Sequence, residues 1–376
     1  MPDNTSVSLT RDLIRIPSAN PGHTEKACAL LLEPMLKQAG FDVSFFEASE
    51  DRTNLVARLP GDDPKSSPLC LCSHLDTVPL GETPWALDPF SAEIRGNKLY
   101  GRGSSDTKSS VAAMVVAAIR LSRLAGRRSG LLLLMAADEE RANKGAKAMA
   151  DAPGLLGKAG ALIIGEPTSN RPCVGHKGVL WLEGETRGVA AHGSVPDQGE
   201  NAIYKAMDAI QRLRDFDFGN ARHPLMGRPT INLGTIQGGL NINSVPNRAV
   251  FRLDIRTVAG QSQRDVFDAM QRLAGGGVTF TRLTDTESVF TPPDNPWVQD
   301  VFGICEHLSG ARPEPECLMY FTDAAALLPA LQHPPTLILG PGEAAQAHKT
   351  DEYCLIENIE KAENIYFEIC KKWCIN

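Results

Sequence analysis

Three stretches of the chain are apolar with almost no interruption and then stop abruptly at acids or histidine. Pro68 to Ser73 runs into His74-Leu75-Asp76, Gly130 to Ala137 into Asp138-Glu139-Glu140-Arg141, and Ala159 to Gly165 into Glu166-Pro167-Thr168. Short runs without polar alternation predict strands buried on both faces of an α/β sheet. Leu337 to Leu339 repeats the pattern, breaking at Gly340-Pro341-Gly342 and leading to Gln346-Ala347-His348. Ser6 to Ile16 and Glu25 to Ala39 carry helical spacing, the second stopped at Gly40, a residue that suits a helix C-cap. Phe41 to Glu47 and Asn54 to Leu59 alternate like strands, with a turn at Gly61-Asp62-Asp63-Pro64. Val111 to Ile119 predicts a buried helix of small and branched residues, introduced by Tyr100-Gly-Arg-Gly-Ser-Ser-Asp106-Thr-Lys108.

Between Gly178 and Ser288 the pattern changes. Gly178 to Gly188, Thr230 to Thr235, Ala249 to Arg256 and Gly277 to Leu283 alternate like antiparallel strands, and Asn201 to Leu213 and Gln263 to Leu273 read as helices. This order predicts a compact α+β unit, residues 178–288, inserted into a larger α/β domain formed by 1–177 and 289–376. Residues 189–196 read as a loop, and the loop 238–246 is long enough to carry function.

Composition narrows the function class. At 376 residues, 42% hydrophobic and 22% charged, the chain reads as a two-domain globular protein. A formal charge of −7 argues against a nucleic-acid or anionic-membrane surface. No apolar run is long enough to span a bilayer, and the start lacks the basic and apolar regions of a secretory signal. Nine cysteines without a framework spacing suit a reducing cytoplasm. A nucleotide-binding reading of Gly101-x-Gly103 fails for want of a third glycine at the required place.

The strand ends carry the candidate chemistry. His-x-Asp at the end of a strand places His74 and Asp76 on one face; the pair reads either as an oriented metal-ligating imidazole or as a stabilising strand-end pair. Asp106 either caps the helix that follows or turns its oxygens into a cleft. Asp138, Glu139 and Glu140 are either a solvated face or a set of carboxylates at the ligand-binding end of a sheet, where cations would relieve their repulsion.

Taken together, His74-x-Asp76, Gly101-Arg102-Gly103-x-x-Asp106-x-Lys108, Asp138-Glu139-Glu140, Gly165-Glu166-Pro167-Thr168 and Ala347-His348 closely resemble the M20 metallopeptidases. That group includes acetylornithine deacetylase, succinyl-diaminopimelate desuccinylase, aminoacylase and glutamate carboxypeptidase. The resemblance spans essentially the whole chain in the family's motif order. It implies a zinc-peptidase-like catalytic domain with a mixed central sheet flanked by helices, and an inserted lid that mediates dimerisation.

The resemblance also implies a site of two zinc ions, with cobalt able to substitute, sharing a hydroxide. Asp106 would bridge them, His74 and Glu166 would complete one ion, and Glu140 and His348 the other. Asp76 would orient His74, Glu139 would be the general base, and the Asp106-Thr107 peptide would be cis. His192 would stabilise the oxyanion from the partner subunit of a homodimer, the alternative being an ordinary loop histidine. Arg256, Asn243 and Thr322 would grip the substrate carboxylate, although Arg256 also reads as a surface strand arginine. Phe321-Thr322-Asp323-Ala324 departs from the family's substrate-contacting segment. The remaining histidines, His23, His176, His223, His307 and His333, read as structural. The implied activity is hydrolysis of an N-acyl amino acid in the manner of acetylornithine deacetylase. Desuccinylase, aminoacylase or carboxypeptidase activity is the alternative, followed by a homologue that binds metal or ligand without turnover.

Overall fold

The computed structural model describes residues 5–219 and 221–375; the reading of Met1–Asn4 as part of a start without a leader lies outside the described residues. No helix among these residues is long and apolar enough to cross a membrane. The chain folds into two compact units. One consists of Met1–Gly175, Thr291–Glu316 and Thr322–Asn376; the other consists of His176–Phe290 with Cys317–Phe321. From the sequence, the last segment is expected within the larger domain. It joins the smaller unit because Lys177 N–H donates to the Leu318 carbonyl and Trp181 meets Phe321 edge to face.

The larger unit is built on a mixed sheet flanked by helices. Its strands run in the order Asp42–Ser49, Arg52–Leu59, Leu131–Ala136, Leu69–His74, Ala161–Ile164, Thr336–Ile338. The first two pairings are antiparallel and the next three parallel. The central strands are buried at every position, as their unbroken apolar runs require. Their parallel register ends Leu69–His74 and Leu131–Ala136 side by side, with His74 opposite Ala136. His74 and the acids after Ala137 therefore emerge at one sheet end.

Helix Lys108–Ser122 lies against helices Ile356–Cys374 and Ser6–Ile14. Every residue from Lys108 to Ala118 is buried. Serine, alanine and valine keep this helix thin enough to be enclosed without voids. The Lys108 ammonium donates to the carbonyls of Leu13 and Ile16, at 3.0 and 2.7 Å. These are carbonyls at and just beyond the end of a helix, where backbone oxygens lack intrahelical partners.

Ahead of this helix, strand Lys98–Tyr100 pairs antiparallel with Tyr353–Leu355, a pairing that local periodicity does not reveal. Tyr100 faces Tyr353, so the next residues outward, Gly101 and Glu352, meet as well. The Glu352 side chain is fully buried. Its carboxylate accepts from the Arg102 guanidinium at 2.7 Å and from the backbone N–H groups of Gly103 at 3.0 Å, Ser105 at 2.7 Å and Asp106 at 3.0 Å. Gly103 has φ +86°, and an added Cβ would lie 2.8 Å from the Thr77 methyl, so glycine is required there. One carboxylate thus folds the loop that delivers Asp106.

The smaller unit is an antiparallel sheet in the order Thr230–Gly238, Arg248–Thr257, Gly178–Arg187, Val278–Thr286. Helices Ala202–Arg214 and Gln263–Ala274 share its core with Leu180, Leu182, Phe251, Leu253, Ile255 and Met270. Two strands run past their expected ends at Thr235 and Leu283, and each has a register shift at that place, between Leu233 and Thr235 and between Arg282 and Thr284. A bulge breaks the period-two alternation while the strand continues.

His176 is fully buried. Its Nδ1 donates to the Lys177 carbonyl at 2.8 Å and its Nε2 has no partner. Burial lowers its pKa from 6.5 to about 4. The unfolded chain takes up this proton as pH falls below 6.5, whereas the folded chain takes it up only near 4, so stability falls across that window, by about 3 kcal/mol in full. His176→Gln should remove this slope, seen as a smaller shift of the urea midpoint between pH 7 and pH 4 than in the unsubstituted chain. Glu352→Gln should destabilise by about 3–5 kcal/mol, since it leaves the buried Arg102 charge unpaired. Glu93→Gln, at an exposed ion pair with Arg95, should cost at most about 1 kcal/mol in the same denaturant titration.

Candidate metal centre

Side chains of the larger unit converge at the strand ends. His74 ends strand Leu69–His74, and Glu139 and Glu140 stand in a single 3-10 turn after Leu131–Ala136. Glu166 follows strand Ala161–Ile164 after one glycine, and Asp106 hangs from the Glu352-tied loop. His348 completes the group from the loop after Thr336–Ile338.

Asp106 stands between the two imidazoles. Its Oδ1 is 3.2 Å from His74 Nε2 and its Oδ2 is 3.5 Å from His348 Nε2. Each imidazole has a glutamate of its own: Glu166 Oε1 is 3.9 Å from His74 Nε2, and Glu140 Oε2 is 3.1 Å from His348 Nε2. Asp106 does not cap the following helix; Thr107 is the N-cap, without a side-chain bond, and the Asp106-Thr107 peptide is cis. Of the two readings of this aspartate, capping is thereby excluded.

The His74 Nδ1 faces the backbone carbonyl of Asp76 at 3.0 Å and its carboxylate at 3.5 Å. Both acceptors require a proton on Nδ1, so Nε2 is the ring nitrogen turned toward Asp106 and the cluster. The Asp76 carboxylate also accepts from the backbone N–H groups of Glu139 and Glu140, at 3.1 and 3.2 Å. One aspartate therefore aligns the histidine and anchors the turn carrying both glutamates. Asp138 is turned away, accepting from the Asn20 amide.

Charge in this cluster is out of balance. Burial pushes Glu139 and Glu166 well above the usual carboxylate range, opposed by His74 and reinforced by neighbouring acids. Burial and then Asp106 raise Glu140. Burial would also raise Asp106, but hydrogen bonds from His348 and His74 hold it below its ordinary value. Burial disfavours charge on His74, yet Asp106 and Asp76 raise its pKa well above the ordinary one, and bonds to Asp106 and then Glu140 push His348 up to about 10. The acids thus hold extra protons on themselves and on two imidazoles. Divalent cations would relieve the same repulsion without those protons.

The donor set fits such ions. His74, Asp106 and Glu140 offer ligand atoms all within 4.8 Å of one another. The Glu140 Oε1 is buried without a hydrogen-bond partner, as expected of an oxygen waiting for a cation. Imidazole and carboxylate without thiolate are the donors of catalytic zinc sites.

Two further residues, Asn143 and through it Asp323, meet Glu139 without having been assigned a role from the sequence, and Thr322, expected at the substrate carboxylate, precedes Asp323. Asn143 Nδ2 donates to Glu139 Oε1 at 3.2 Å and to Asp323 Oδ1 at 2.9 Å. Asp323 is buried, and burial raises its pKa to about 7. Thr322 is fully buried, its hydroxyl accepting from Ala324 N–H at 3.2 Å. Asn143 carries no periodic or motif signal of its own, and the Asp351-Glu352-Tyr353 segment resembles the family without showing what Glu352 does; only the folded chain brings both to the acids.

The remaining candidates lie in the smaller unit. His192 is exposed, and its Nδ1 accepts from the Ser194 backbone N–H at 3.2 Å. The proton therefore sits on Nε2, which is left as a donor. Gly193 N–H donates to the Asn243 carbonyl at 2.8 Å, which places His192 and Asn243 on adjoining loops. Arg256 is held by its own strand: its guanidinium grips Asp254 through Nε at 2.8 Å and Nη2 at 3.0 Å.

Comparison with known proteins agrees with this architecture. The chain is 31% identical over 389 residues to an acetylornithine deacetylase of Photorhabdus laumondii, covering 98% of this chain and 97% of the relative. It is 28% identical over 404 residues to a probable succinyl-diaminopimelate desuccinylase of Staphylococcus epidermidis, covering 99% and 98%. An M20 family metallo-carboxypeptidase from Sulfolobus solfataricus has the same fold, with TM-score 0.79 over 99% of both chains at 19% identity. A dinuclear metal-binding M20 peptidase from Bacillus subtilis superposes with TM-score 0.73, covering 97% of this chain and 96% of its own at 16% identity. The family model for peptidase family M20/M25/M40 matches residues 70–372, and the chain belongs to that family of amide-bond hydrolases.

Proposed function

We propose that this protein hydrolyses N-acyl amino acids, in the manner of acetylornithine deacetylase, with two zinc ions for which cobalt can substitute. The observation that carries the reading is the position of Asp106, whose two oxygens face two different imidazoles, each paired with its own glutamate. In this reading His74 and Glu166 hold one ion, His348 and Glu140 the other, and Asp106 both. The ions supply Lewis acidity toward the scissile carbonyl and a water acidified towards neutrality.

The residues of the chain do the rest. Asp76 fixes the ring of His74. Glu139 is not a ligand in this scheme; it takes the proton of the attacking water and passes it to the leaving nitrogen. Burial raises the affinity of its carboxylate for a proton, which suits a group that takes one up and gives it away. His192, with Nε2–H free to donate, stabilises the tetrahedral oxyanion from the partner subunit. Arg256, Asn243 and Thr322 hold the substrate carboxylate.

A homodimer through the smaller unit fits its surface. Strand Thr230–Gly238 is an edge of the sheet, an arrangement that invites pairing with a second chain. Leu233, Ile236, Tyr204 and Met207 on that strand and its neighbouring helix are exposed, and Leu240 and Ile242 in the following loop are exposed at 96% and 103%. All nine cysteines are buried and none is in a disulfide, which suits a cytoplasmic location.

Metal analysis should find two ions per chain. His348→Ala should retain about one, and exhaustive chelation should abolish turnover; activity that survives chelation would sink the mechanism. Glu139→Ala should keep both ions and lose about 10²–10⁴ of the rate. The substrate reading is tested by comparing kcat/KM on N-acetylornithine, N-succinyl-diaminopimelate, N-acetylmethionine and an acylglutamate peptide. Preference for the succinyl compound would move the assignment to the desuccinylase branch.

A further inference from the structure

The turn that carries the glutamates is more strained than its length needs. Asp138, Ala142 and Asn143 have φ of +56°, +70° and +57°, all in the left-handed region and none of them glycine. Such conformations persist where surrounding structure over-determines them, and they cluster at functional sites. Asn143 also opens helix Lys144–Asp151, where an asparagine ordinarily caps the first backbone N–H groups through its side-chain oxygen. Here it makes no capping bond. Its Oδ1 is buried without a partner, while its Nδ2 lies between Glu139 Oε1 at 3.2 Å and Asp323 Oδ1 at 2.9 Å.

That choice of bonds has a cost, since an unsatisfied buried oxygen and a forgone cap both weaken the fold. The amide turns its NH2 end to two carboxyl oxygens, each of which accepts from it. Asp323 is buried at the start of a separate segment, after Thr322. It anchors one hydrogen of the amide and leaves the other for Glu139. The backbone closes the arrangement, since Asn143 N–H donates to the Glu139 carbonyl at 2.9 Å.

We infer that Asn143, braced by Asp323, is a positioning residue for Glu139. It fixes Oε1, and so presents Oε2 as the oxygen that exchanges a proton with water and leaving nitrogen. A glutamate side chain otherwise has several rotamers to lose, and a proton-transfer group has to lie within hydrogen-bond reach of its proton. Because the amide donates to the carboxylate without ionising, it orients Glu139 and adds no competing base. This role rests on the general-base function proposed for Glu139 and extends it to the residues that aim it.

Asn143→Gly is the variant of choice, since glycine tolerates the left-handed backbone and removes only the amide. With the best of the four substrates above, kcat should fall about 10–100-fold while KM stays within about two-fold and metal content is unchanged. Asp323→Ala should give a loss in the same direction. Asn143→Gly in a Glu139→Ala background should cost no further activity, because the amide then has nothing to aim. A crystal structure of metal-loaded Asn143→Gly should show Glu139 displaced from its present rotamer.

An unchanged Glu139 rotamer in that crystal, or a loss that adds in full to that of Glu139→Ala, would overturn the positioning role while leaving the base reading intact. Loss of metal in Asn143→Gly would overturn it too, assigning the residue to the scaffold. A Glu139→Ala protein of near-normal rate would instead remove the base reading, and the positioning role with it. The crystallographic result decides the matter independently of which substrate is turned over.

Discussion

The metal centre depends on a carboxylate that is not part of it. Glu352 is buried with Arg102, and it accepts three backbone N–H groups from the loop leading to Asp106. A buried carboxylate with four donors is well satisfied, whereas the same loop without it would bury three orphan N–H groups and a cation. The bonds also hold the loop in one conformation, so Asp106 is set in place before anything binds. Lys108, just beyond it, ties the same region to the carbonyls of Leu13 and Ile16. Asp106 is thus fixed from both sides by charged groups that take no direct part in chemistry.

Around this fixed point the cluster balances like charge against burial. Four acids, Asp106, Glu139, Glu140 and Glu166, share the space with two imidazoles, and burial raises three of the acids. Asp76 works against the disorder this would cause by accepting from two backbone N–H groups of the glutamate turn. His74 and His348 differ in setting: His74 is buried, whereas the His348 side chain is 55% exposed. One half of the cluster is therefore enclosed by the sheet, while the other opens toward solvent through a loop.

Much of this was legible from the order of residues. Unbroken apolar runs ending in His74, Asp138 and Glu166 identify buried strands that point chemistry at one sheet end, and the strands are where the runs lie. What escaped is long-range. The pairing of Tyr353–Leu355 with Lys98–Tyr100 joins two strands far apart in sequence, each too short for alternation to register. Nothing in the order of residues singles out Asn143, and its departure from capping is visible only beside Asp323. In the smaller unit, the bulges after Leu233 and Arg282 hid the ends of two strands, because local irregularity cancels the period on which the reading depends.

The larger unit is made of segments on either side of the smaller one, and this sets the order in which its chemistry can appear during synthesis. By the time Phe290 has been made, His74, Asp106, Glu139, Glu140 and Glu166 already exist, but the Glu352 carboxylate that closes the Asp106 loop does not. The inserted α+β unit, whose core is local to residues 180–278, can close while its host is still open. His348 and Glu352 arrive later, within one short stretch, supplying the second imidazole and the clasp of the loop together. A chain interrupted before that stretch would carry the acids without the frame that aims them, so a half-made protein holds the ingredients of the centre but not its geometry.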